Sequence, residues 1–118
     1  MDASNPVIQL CLEGSRAEFE HCPEDAHRLY QQAWDLASDD YEACVAAHYL
    51  ARFQPTPDEA LRWNQEALKR AELVTDERAR DFYPSLYLNL GHSYEMLGNQ
   101  AHAQKFYALA AELGVTHR

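Results

Sequence analysis

The stretch Pro84-Ser-Leu-Tyr-Leu-Asn-Leu-Gly-His-Ser-Tyr-Glu-Met-Leu-Gly-Asn-Gln-Ala-His-Ala-Gln-Lys-Phe-Tyr-Ala-Leu-Ala-Ala-Glu-Leu113 reads as two amphipathic helices joined at Gly98-Asn99. In its first half Leu86, Tyr87, Leu90, Gly91, Tyr94 and Leu97 fall on one stripe at helical spacing. In its second half Ala103, Tyr107 and Ala110 make a matching stripe. A glycine inside a helix costs about 1 kcal/mol relative to alanine. Gly91 therefore makes sense where a neighbouring helix comes too close for a side chain, and the two helices pair.

Working outward, the triplet Ala103, Tyr107, Ala110 recurs as Ala26, Tyr30, Ala33 and more weakly as Ala60, Asn64, Ala67, at intervals of 34 and then 43 residues. The extra residues of the longer interval fall between Leu73 and Pro84, because the motifs on either side keep their internal spacing. The order Tyr87, Leu90-Gly91, Tyr94, Ala103, Tyr107 resembles the tetratricopeptide (TPR) signature, whose repeat is about 34 residues long. The proline that often closes such a unit is missing, its place being near Val115. Residues 82–95 are also similar to small stand-alone bacterial TPR proteins. The resemblance implies an all-α fold of three helix-turn-helix hairpins, six antiparallel helices stacked as a short right-handed superhelical array. One domain then spans 1–118, with repeats at about 7–40, 41–74 and 84–117 and an extended segment at 75–83.

Local signals place the helices. Residues 6–20 make the first, with Leu10, Gly14 and Ala17 standing where the third repeat has Tyr87, Gly91 and Tyr94. Cys22-Pro23-Glu24-Asp25 opens the second, since proline is tolerated in the first turn and early acids suit the positive end of the helix dipole. Asp39-Asp40 caps a third helix reaching Phe53. On it Cys44, Ala47 and Ala51 take packing places, and His48 stands where the other repeats have glycine. Thr56-Pro57-Asp58-Glu59 is a capping box that starts a fourth helix ending near Leu73. Thr75-Asp76-Glu77 caps a further helical segment that extends the fifth helix N-terminally through Pro84, where proline either breaks or kinks it. The sixth helix is 100–113, closed by Gly114.

Composition excludes several classes of function. A chain of 118 residues is long enough for one domain with a core of its own. No apolar run approaches the roughly 20 residues of a membrane span. The opening Met1-Asp2-Ala3-Ser4-Asn5-Pro6 has neither a basic region nor a long apolar core, which argues against a signal peptide and for a cytoplasmic location. Cys11, Cys22 and Cys44 are an odd set without a CxxC pair, so reduced thiols are expected rather than a disulfide framework. The net charge of -9 makes nucleic acid an unfavourable partner, because phosphate backbones bind through clustered Lys and Arg.

Few residues offer catalytic chemistry. Cys44 and His48 lie one helical turn apart, and His21, Cys22 and His27 cluster around a turn, but zinc needs three or four ligands in defined geometry. No metal site and no cofactor are expected. His92 and Ser93, adjacent on a helix, point about 100 degrees apart and cannot act on each other. The acidic pairs Glu24-Asp25, Asp39-Asp40 and Asp58-Glu59 sit at helix starts, where dipole and capping explain them. No enzyme activity is expected.

What the TPR resemblance implies is a groove lined by the first helix of each repeat. Transferred here, it contains Ser15, Glu18 and Phe19, then Tyr49, Arg52 and Phe53, then Leu88, Asn89, His92, Glu95 and Met96. Equivalent places form columns: Ser15, Tyr49 and His92; Glu18, Arg52 and Glu95; Phe19, Phe53 and Met96. The places used by carboxylate-gripping TPR proteins hold Cys11, Ser15, Ala46, Ser85 and Asn89, so no such clamp is expected. Glu18 and Glu95 flank Arg52 and offset its charge. The function expected is thus an adaptor binding a protein or peptide with apolar anchors and some positive charge. Two alternatives differ in class. Phe106, Leu109 and Leu113 form an apolar stripe on the last helix, on which a homodimer could form. A small enzyme would use His92 and Glu95.

Overall fold

In a computed structural model of the chain, residues 4–114 are described. They form six α-helices: α1 Pro6–Phe19, α2 Pro23–Leu36, α3 Asp40–Leu50, α4 Pro57–Leu73, α5 Tyr83–Met96 and α6 Gln100–Glu112. The end of the third repeat, 115–117, lies outside the described residues, as do Met1, Asp2 and Ala3.

Four of the six helices, α1, α3, α4 and α6, begin where a side chain takes up free amides. Asn5 Oδ1 accepts from Val7 N–H at 2.8 Å, and Asp39 Oδ1 accepts from Glu42 N–H at 2.8 Å. Thr56 Oγ1 accepts from Glu59 N–H at 3.2 Å, and Asn99 Oδ1 from His102 N–H at 3.1 Å. Such caps contribute about 1 kcal/mol each. α5 ends in a Schellman motif, with Asn99 N–H on the Tyr94 carbonyl at 2.9 Å and Gly98 at a φ of +79°. α1 ends in the same way, with Cys22 N–H on the Ala17 carbonyl at 2.8 Å, but His21 takes the left-handed place at a φ of 63°.

The helices pair as α1 with α2, α3 with α4 and α5 with α6, and the hairpins join through α2 against α3 and α4 against α5, with α1 also touching α3. The fold is all-α, as expected. Of the residues expected in the core, Leu86, Leu90, Ala103, Tyr107, Ala110, Tyr30 and Ala33 are buried, while Tyr94 and Ala60 are half-buried. One core cluster centres on Ile8, Cys11, Tyr30 and Leu50, and a second on Cys44, Ala67 and Leu86. Trp34 and Trp63, crossed edge to face at 5.0 Å, pack against both.

Gly14 and Gly91 do the same job in the outer hairpins. The ring of Tyr30 lies on Gly14 and that of Tyr107 on Gly91, so close that a Cβ at Gly91 would stand 2.6 Å from Tyr107 Cε1. Each tyrosine then reaches a carboxylate at the end of the facing helix: Tyr30 O–H donates to Glu18, and Tyr107 O–H to Glu95 at 3.3 Å.

The extension before Pro84 is a 3₁₀ segment, Glu77–Phe82, which runs directly into α5. Proline offers no N–H to the Arg80 carbonyl, and Tyr83 N–H bonds that carbonyl instead, one residue closer. Asp76 caps the segment by accepting from Arg78 N–H at 2.9 Å. Arg78 covers the Tyr41 ring at 4.7 Å, and Phe82 meets the His48 ring edge to face at 4.7 Å. The extra residues of the longer interval are therefore wedged against the α3 helix.

Candidate binding cleft

Between α3 and α5 lies a cleft of about 380 Å³ whose base is Ala60 and Asn64 of α4. It adjoins a second hollow of about 410 Å³ that shares Ala51, Arg52, Ala60, His92 and Ser93 and extends to Pro55, Pro57 and Met96. Among the residues expected to bind a partner, Arg52, Leu88, Asn89, His92 and Met96 meet here. Arg52, His92 and Met96 are exposed at its rim.

The remaining expected residues are placed differently. Glu18 pairs with Arg52 at 2.9 Å, as the charge column implied, and so offsets its charge. Glu95 instead accepts from Tyr107. Ser15 Oγ lies 3.3 Å from the Tyr30 hydroxyl. Tyr49 is turned toward the first hairpin, its ring stacked on Tyr30 at 4.9 Å, and Phe53 stacks on His27 at 5.4 Å. Phe19 is 86% exposed, beyond the end of the packed region. On α6, Phe106 lies parallel to Tyr94 at 5.7 Å under the Lys105 ammonium, Leu109 is half-buried, and Leu113 is exposed.

Three polar side chains at core positions distinguish the cleft: His48, Asn64 and Ser93 are each more than nine-tenths buried, at 8%, 6% and 5% exposure. His48 and Asn64 occupy the places that hold the glycine and tyrosine in the outer hairpins. Burial, and secondarily the charge of Arg52, pushes the His48 pKa down to about 4, so the ring is neutral near pH 7. Its Nδ1 faces Asn89 Nδ2 at 3.2 Å. An amide nitrogen can only donate, so Nδ1 accepts and the ring proton sits on Nε2. Asn64 Nδ2 donates to Ser93 Oγ at 2.8 Å, and Asn64 Oδ1 is buried without a partner.

Sequence reasoning weighed Ser93 only as a nucleophile beside His92 and treated Asn64 only as a weak member of the aromatic column. The signal was available: Asn64 stands at a stripe position and Ser93 lies three residues after Leu90 and seven after Leu86, places where burial without a partner would be costly. Cys44 and Cys11 are buried thiols with pKa values raised to about 12 by desolvation, which suits packing rather than reactivity. Among the described residues no group of three or more His, Cys, Asp or Glu is placed to hold a metal ion. Among them, too, no helix is long and apolar enough to cross a membrane. No family model, no curated protein and no solved structure matches the chain.

Proposed function

We propose that the chain is a non-enzymatic interaction module that holds a protein or peptide segment in the cleft between α3 and α5. The observation that carries this is the pair of adjoining hollows, about 380 and 410 Å³, with mixed polar and apolar walls and an exposed rim. The TPR-like signature supports it, since repeat arrays offer extended binding surfaces built from equivalent helices. Leu88 and Met96 supply apolar area, worth about 25 cal/mol for each Å² cleared of water. Arg52 is already paired with Glu18 at 2.9 Å, so an anion gains little from it. A net charge of -9 speeds encounter with a segment carrying some positive charge. A cytoplasmic adaptor of TPR type is the role these features fit.

The alternatives have less to draw on. Phe106 is engaged by Tyr94, which shrinks the apolar stripe a homodimer would use. Glu95 is engaged by Tyr107, which removes the carboxylate that an enzyme based on His92 would need.

The test is to pan a displayed peptide library on the protein and measure a selected peptide against Arg52→Ala, His92→Ala and Met96→Ala, with Lys69→Ala on the exposed side of α4 as control. Tenfold weaker binding in the first three, and none in the control, is expected. Binding that survives all three, or a library that yields no ligand, defeats the proposal.

A further inference from the structure

We infer that the hollow beside Arg52 is a subsite for an aromatic side chain, whose ring is covered by the Arg52 guanidinium. This deepens the proposed function and rests on it for the segment that carries the ring.

The case begins with how this chain uses its arginines. Among the described residues, three pair with a carboxylate outside their own element: Arg52 with Glu18 at 2.9 Å, Arg70 with Asp40 at 3.1 Å and Arg78 with Asp39 at 3.7 Å. Two of the three also cover a ring. Arg70 Cζ lies over Trp34 at 5.7 Å, and Arg78 Cζ over Tyr41 at 4.7 Å. The pairing of roles follows from the group itself. A guanidinium sends its N–H donors to carboxylates, while its weakly hydrated, delocalised charge is drawn to the electron-rich face of a ring. Arg28 and Arg80 pair only within their own elements, three residues back, and are exposed.

Arg52 has the first half of this arrangement and lacks the second. Glu18 holds one of its nitrogens, and among the described residues no ring lies under it. What it borders instead is the hollow of about 410 Å³, shared with Pro55, Pro57, Ala60, His92 and Met96. Met96 is left 61% exposed there. Its polarizable thioether makes favourable contacts with aromatic rings. Because Glu18 already holds the guanidinium, a ring that enters the hollow has little ordering of Arg52 to offset.

The rest of the lining disfavours other side chains. Among the described residues no aspartate or glutamate lines either hollow, in a chain of net charge -9. A lysine or arginine would therefore lose water without gaining a carboxylate, and the positive charge of the bound segment stays outside the hollow. An acidic side chain would meet an arginine whose charge Glu18 offsets. An aliphatic side chain fills the apolar wall and gains nothing from the cation. A ring gains from both, and tryptophan gains most.

The experiment titrates the protein, labelled at its methionine methyls and arginine side chains, with N-acetyl-tryptophan-amide and, in parallel, the corresponding leucine, lysine and glutamate compounds. The tryptophan compound should move the Met96 methyl and Arg52 Nε–H resonances upfield and saturably, through the shielding of its ring. It should bind about fivefold more tightly than the leucine compound, and the lysine and glutamate compounds should bind more weakly still. Arg52→Gln, read at the Met96 methyl, and Met96→Ala, read at Arg52 Nε–H, should each reduce the preference for tryptophan over leucine. Each variant is checked for folding by its amide spectrum, and Met96, being exposed, can be truncated without disturbing the core. No shift from the tryptophan compound, leucine binding as tight as tryptophan, or an unchanged preference in either folded variant overturns the inference. If a library-selected peptide needs Arg52 and His92 while the tryptophan compound fails, the subsite is wrong and the binding face stands. If the compound binds but no selected peptide needs those residues, the proposed function fails and the subsite stands.

Discussion

Gly91→Ala isolates the contact on which the hairpin is built. The added Cβ would lie 2.6 Å from Tyr107 Cε1 and 2.7 Å from Cδ1, well inside van der Waals contact. Tyr107 is 6% exposed and tied through its hydroxyl to Glu95, so the ring cannot swing away freely. Alanine gains about 1 kcal/mol of helix propensity over glycine. Overpacking costs about 1–3 kcal/mol. The clash wins, by about 1 kcal/mol, and the Tm should fall by roughly 4 °C in a domain of this size. Gly91→Leu should lose about 3 kcal/mol, since its side chain must displace the ring entirely. The assay is thermal unfolding followed by circular dichroism, repeated in a Tyr107→Leu background. There the clash partner is gone, and Gly91→Ala should be neutral or stabilising, giving a coupling of about 1–2 kcal/mol across the cycle. A Tm that is unchanged or raised by Gly91→Ala with Tyr107 intact would refute the reasoning.

Other consequences follow from the same comparison between hairpins. His21 sits at a φ of 63°, where the equivalent turn has Gly98, so His21→Gly should raise stability by about 0.5–1 kcal/mol in urea unfolding; a loss would contradict the turn geometry. His48 has a folded pKa of about 4 against an ordinary value of 6.5, so the unfolded chain binds its proton first as pH falls. Its contribution is full above pH 6.5 and is lost toward pH 4, by up to about 3 kcal/mol. Unfolding curves across that window should show this slope in wild type and lack it in His48→Gly, and equal slopes in both would rule it out.

Much of the fold was legible because local chemistry and packing agree. Asp39 and Thr56 announced their helices as caps, α4 runs from Pro57 to Leu73 as its flanking residues indicated, and Gly91 marked a close approach of the neighbouring helix, which the ring of Tyr107 makes. The 3₁₀ winding of 77–82 was not legible, because sequence pattern marks a helical segment before Pro84 but not which carbonyl Tyr83 will choose. The groove was legible only as a face. The groove that the TPR resemblance implies put Arg52, Leu88, Asn89, His92 and Met96 on one side, and the structure brings them to one cleft. Rotamers decide the rest: Tyr49 and Phe53 share that spacing yet turn to stack on Tyr30 and His27, where aromatic partners were available. Asn64 and Ser93 were not legible as a pair, because a polar residue in an apolar stripe does not reveal which residue of the next helix, 29 positions away, it will bond.

The most direct test of the binding face places a photoreactive p-benzoylphenylalanine at His92, on the rim of the cleft, and in a second protein at Gln32, exposed on α2. Each is irradiated with the same library-selected peptide, and the adduct is mapped by mass spectrometry. Crosslinking from position 92 and none from position 32 is the predicted result. Crosslinking from position 32 with none from position 92 would put the partner on the opposite face and contradict the proposed function.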